Sequence, residues 1–162
     1  MIKKINSQKK EFYLLLILIL ISLVLSNLGI LGIADPRIMP NYFIGLVIAF
    51  IISNKAKLNL FKLMALGLII DLLSGQLLGQ HALIFITIYI LHFIINKLLI
   101  IKTEIQYSSL SIFLIMSSFL ILWLTSQSHD IFRPANLLFL QGILTFFSYL
   151  IIKIIIMKFS SK

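Results

Sequence analysis

The chain contains no cysteine. That excludes a disulfide framework, a thiol nucleophile and a thiolate metal site. Charge is scarce too: Asp, Glu, Lys and Arg together make up 12% of the 162 residues, against about 25% in a soluble domain. Five acids stand against 14 Lys and Arg. With 60% hydrophobic residues and a mean hydropathy of +1.12, too little polar surface remains to cover a soluble globule. HExxH, Walker A, GxSxG and Cys/His patterns are all missing, so no residue set argues for catalysis, a metal or a cofactor.

What the chain has instead is apolar runs. A membrane span needs about 20 mostly apolar residues, within a range of about 17–25. Six segments qualify: 12–34, 38–54, 60–80, 82–101, 106–127 and 135–157. The second is the shortest, opened by Pro40 and closed by Lys55. The run from Phe12 to Ala34 follows a basic N-terminus, as a signal sequence would. At 23 residues it exceeds the roughly 7–15 of a signal h-region, and GIADPR offers no small-x-small cleavage site; it reads as a retained span. The connections are too brief to hold an extramembrane domain. The expectation is one polytopic domain over 1–162, an all-α bundle of six transmembrane helices.

The formal net charge of +9 would suggest nucleic acid on a soluble protein. Here the basic residues lie between apolar runs, and short-loop Lys and Arg set orientation. With the N-terminus cytoplasmic, all twelve lysines fall inside, from Lys3 and Lys4 through Lys55, Lys57, Lys97 and Lys102 to Lys158 and Lys162. Only Arg37 and Arg133 fall outside. Both termini are therefore expected in the cytoplasm. Tyr13 and Tyr107 lie near inner edges and Tyr42 and Trp123 near outer ones, where belt aromatics sit.

The stretch GLIIDLLSGQLLGQHAL, Gly67 to Leu83, breaks the apolar pattern. In a helix, residues four apart lie about 40° round from one another, so Gly67, Asp71, Gly75 and Gly79 would form one spiralling strip. Small residues at that spacing let another helix backbone approach closely. Asp71 is the costly member, at about 2.5–3.5 kcal/mol for an acid at mid-span, and so needs a partner. His92 on the next span, a serine of the fifth, or backbone at a break near Ser74-Gly75 are the candidates. Two readings stay open: Asp71 fixes packing, or it lines a pocket.

The remaining polar residues read more plainly. His129, Asp130, Arg133 and Pro134 share the loop QSHDIFRPAN, where no nucleophile or third metal ligand accompanies the His–Asp pair. It reads as a solvated turn, with a partner contact possible at Arg133 and Pro134. His81 is expected at the membrane interface where the fourth span begins, and His92 as a hydrogen-bonded packing residue. Ser108, Ser111, Ser117, Ser118 and Thr125 of the fifth span can bond carbonyls of their own helix or reach across to another.

These residues resemble a known family. Gly67, Leu68, Asp71, Leu72, Leu73, Gly75, Leu78, Gly79, Ala82 and Leu83 match the central motif of MreD, the bacterial rod shape-determining membrane proteins. The Pro40-Asn41 step and the Phe132-Arg133-Pro134 turn before the Gly142 span are similar to the family as well, so the likeness covers nearly the whole chain. It implies a non-catalytic scaffold of the cell-elongation (Rod) complex in the bacterial inner membrane. Its partner would be the bitopic MreC, with the actin-like MreB, the glycosyltransferase RodA and a class B penicillin-binding transpeptidase linked indirectly. It further implies a fold similar to the substrate-binding subunits of ECF vitamin transporters, which are themselves the rival reading. The family supplies no catalytic residue.

Overall fold

In the computed structural model, residues 2–27, 39–53, 58–75, 77–99, 103–127 and 135–160 are described. Among them the secondary structure is entirely α-helical: α1 (Ile2–Asn27), α2 (Tyr42–Ser53), α3 (Leu60–Ser74), α4 (Gln80–Leu98), α5 (Glu104–Gln127) and α6 (Ala135–Ser160). Three of these helices, α4, α5 and α6, are long and apolar enough to cross a membrane. The loop holding His129, Asp130, Arg133 and Pro134 lies outside the described residues, as do Arg37, Lys55, Lys57 and Lys102.

Side chains start several of these helices. Asn41 accepts the Ile44 N–H at 3.2 Å to open α2, and Asn59 accepts the Lys62 N–H at 3.0 Å to open α3. At α5 the device is reciprocal. Thr103 Oγ1 accepts from the Gln106 N–H at 3.3 Å, while Gln106 Oε1 accepts from the Thr103 N–H at 3.1 Å. Each arrangement satisfies backbone donors that a helix start leaves without partners.

The centre of the molecule is α2. Its residues Phe43 to Ile51 are all buried, because α1, α4, α5 and α6 pack round it. A helix apolar on every side suits such a place. At 12 residues it is only about 18 Å long, well short of the roughly 30 Å hydrocarbon layer. Its packing along α6 is close: a Cβ placed on Gly45 would stand 2.9 Å from Ser148 Oγ. Polar bonds clasp the same pair. Thr145 Oγ1 accepts the Asn41 N–H at 2.9 Å, and Gln141 Nε2 donates to the Met39 carbonyl at 2.7 Å. Gln80 Nε2 of α4 likewise donates to Thr125 Oγ1 of α5 at 2.7 Å.

The outer helices turn apolar side chains away from the core. On α1, Leu15, Leu18, Ile19 and Ser22 are buried at helical spacing, while Leu16, Ile17, Leu20 and Val24 are exposed. Phe61, Leu72, Phe113, Leu120, Phe147 and Ile151 are exposed on other helices. An exterior this apolar fits a membrane protein. The serines of α5 mostly bond their own helix: Ser111, Ser117 and Ser118 donate to carbonyls three residues earlier.

Candidate functional site

The motif occupies the junction of α3 and α4, which pack closely against each other. Asp71 lies on the last turn of α3 and is fully buried. The helix stops three residues later because Gly75 takes a left-handed φ of 64°, and its N–H bonds the Asp71 carbonyl. That is a common way to end a helix, and glycine adopts it without strain. The chain turns again at Gly79, φ 89°, and α4 begins at Gln80.

Gly79 is the N-cap of α4 and has no side chain to satisfy the first N–H groups of that helix. Asp71 does so from the preceding helix. Its Oδ2 accepts the Gly79 N–H at 2.8 Å, and its two oxygens accept the His81 N–H at 3.1 and 3.3 Å. The His81 ring adds a third donor, with Nδ1 2.7 Å from Asp71 Oδ1. A carboxylate at a helix N-terminus is also favoured by the helix dipole, by about 0.3–1 kcal/mol and up to ~2 kcal/mol in partly buried geometry.

His81 carries the linkage onward to α2. Its ring stands edge-on to Phe43 at 5.7 Å and to Phe85 at 5.9 Å between centroids. Its Nε2 is buried with no hydrogen-bond partner among the described residues. The chain of contacts Asp71–His81–Phe43 thus ties α3, α4 and α2 together. Ser74 Oγ turns back to the Ile70 carbonyl at 2.7 Å and takes no part in it.

The four residues expected on one strip do different work. Gly67 is a packing glycine: a Cβ there would overlap the backbone of Ala82 and His81. Gly75 and Gly79 would meet nothing within 4 Å on gaining a Cβ, so their need for glycine is the positive φ. The strip is absent because α3 ends at Ser74, short of the residue 80 that the apolar pattern suggested. The partners of Asp71 match expectation in part. They do not include His92, which lies 11 residues further along α4, or about 16 Å, and whose Nε2 meets Asn96 Nδ2 at 2.9 Å. Nor do they include a serine of α5; the expected backbone partners at a break near Ser74-Gly75 are present as the Gly79 and His81 N–H groups beyond that break. His81, expected at the interface, is 1% exposed and supplies the side-chain partner.

A model of the family described as rod shape-determining protein MreD matches residues 7–161, nearly the whole chain. The chain belongs to the MreD family. No curated protein and no solved structure matches it. Membership gives the chain a role in determining rod shape, as a membrane protein, and the family is described by that role rather than by a reaction. In this MreD family member the central motif is therefore a helical hairpin lock. Asp71 and His81 are its polar pins, Gly67 its contact point, and Gly75 and Gly79 its two bends.

Proposed function

We propose that the chain is a non-catalytic scaffold of the cell-elongation machinery, crossing the bacterial inner membrane six times with both termini in the cytoplasm. It partners MreC, and through it couples MreB filaments to peptidoglycan synthesis by RodA and a class B penicillin-binding transpeptidase. The family match over residues 7–161 carries this reading. The alternating lysine distribution supports the topology. The shortness of α2 is compatible with it, because backbone buried in protein need not match the bilayer.

The geometry of Asp71 supports a scaffold over the ECF-type substrate-binding subunit. An acid that captures a ligand has to present an oxygen to it. Both oxygens of Asp71 are taken up by α4 and His81, and the residue is fully buried.

A mild-detergent pull-down of the tagged chain from its own membranes, read by mass spectrometry, tests the reading. MreC together with the elongation synthases is the expected recovery. An ECF coupling subunit with its ATPases in their place overturns the scaffold.

A further inference from the structure

Tyr89, His92, Phe93 and Asn96 follow the spacing i, i+3, i+4, i+7 and so share one face of α4. Three of the four are polar, on a helix that is otherwise almost wholly apolar through its second half. Polar side chains on a membrane helix are costly, and they turn toward a partner or a site. This face lines a cavity of about 290 Å³ that is completed by Phe50 of α2 and Tyr107 of α5. The volume is near the lower end of small-molecule sites, roughly 300–1,000 Å³. The cavity lies toward the C-terminal half of α4, away from the Asp71 lock.

The polar groups lining this cavity are two hydroxyls, an imidazole and an amide. Asn96 Nδ2 lies 2.9 Å from His92 Nε2 and 3.5 Å from its Nδ1. The hydroxyls of Tyr89 and Tyr107 have no hydrogen-bond partner among the described residues. Among the described residues no Asp or Glu lines the cavity. The described lining therefore offers hydroxyl donors and no carboxylate, which suits an acceptor-only anion such as a phosphodiester.

Its surroundings point to where that phosphate comes from. Lys62 at the start of α3 and Lys97 in the last turn of α4 are exposed at the same end of the molecule. Phe93, on the lining face, is 60% exposed. Near the same end, Ile95, Leu99, Leu110 and Phe113 line a second, more apolar hollow of about 590 Å³ at the α4–α5 seam. Hydroxyl donors in the cavity, exposed lysines at the same end and apolar surface near it together match an amphiphile. Lysines near the membrane surface attract anionic headgroups.

We propose that the cavity between α2, α4 and α5 binds the phosphate headgroup of an anionic phospholipid from the cytoplasmic leaflet. Tyr89 and Tyr107 supply the donors, and Phe93 with the neighbouring hollow holds the acyl chains. The leaflet rests on the topology proposed above, whereas the headgroup chemistry does not.

Native mass spectrometry of the full chain in detergent tests the site. It would be titrated with phosphatidylglycerol or with phosphatidylcholine of the same acyl chains. The expected result is preferential retention of phosphatidylglycerol. Removing each hydroxyl, in Tyr89→Phe and Tyr107→Phe, should weaken that retention by about tenfold, the effect of one hydrogen bond to a charged group. Both changes keep the ring and its packing, and an unchanged melting temperature confirms the fold. Equal retention of the two lipids, or an undiminished preference in both variants, overturns the proposal. So does tyrosine-dependent binding of inorganic phosphate alone that displaces the lipid, because the source is then a free anion. The readout has no sidedness, so its failure is separable from a failure of the topology, which labelling in whole cells reports.

Discussion

Three donors converge on the Asp71 carboxylate, two from the backbone of Gly79 and His81 and one from the His81 ring. Asparagine in its place keeps one acceptor oxygen but turns an NH₂ group toward an N–H. Alanine removes both acceptors. An unmet buried donor costs about 1–3 kcal/mol, so Asp71→Asn should destabilise by about 2 kcal/mol and Asp71→Ala by more. Unfolding of the purified protein measures both, and an Asp71→Asn chain as stable as the parent would remove the cap from the account. His81 gives the sharper contrast. His81→Phe loses the bond to Asp71 but keeps an aromatic ring beside Phe43 and Phe85, and it removes the unpartnered Nε2. His81→Ala loses the ring as well and leaves a cavity. The phenylalanine variant should therefore be clearly the more stable of the two in the same measurement.

At the scale of the helix, the glycines of the motif separate by mechanism. Gly67→Ala places a methyl group in the backbone of Ala82 and His81, so α3 has to move off α4. Gly75 has open space and a left-handed φ, so alanine and leucine there should cost nearly the same, about 1–2 kcal/mol. Asparagine, which tolerates that conformation, should cost less. A Gly75→Leu far more damaging than Gly75→Ala would mean a packing role after all. This contrast also explains what was legible beforehand. Glycine and aspartate at four-residue intervals are compatible with a helix face, and that periodicity made the Gly67–Gly79 stretch look continuous. The pairing of Asp71 with Gly79 and His81, eight and ten residues on, follows no helical period; it depends on the bend between them. The Ser74-Gly75 step was the available signal, since glycine after an apolar run marks a helix end. Pro40-Asn41 was read correctly as an opening, and Asn41 does cap α2. His92, expected as a hydrogen-bonded packing residue, meets Asn96 one turn along its own helix.

For the molecule as a whole, the absence of cysteine makes sidedness directly measurable. Single cysteines at Ser7 and Ser128 should differ toward an impermeant maleimide in intact spheroplasts, with Ser128→Cys labelled and Ser7→Cys protected. The reverse pattern would invert the topology, and equal labelling would reject six spans. The central place of α2 bears on something else, the order in which the chain is built. The two bonds that clasp α2 to α6 join residues 104 and 102 apart in sequence. When the ribosome has made the first five helices, the second has no sheath along one flank and is too short for lipid to hold it alone. A chain ending before Ala135 should therefore be cleared rapidly in a pulse-chase, even though it contains the entire motif. Synthesis of α6, rather than of the motif, is then the step that commits the polypeptide to its fold, and quality control has its longest opportunity just before that helix appears.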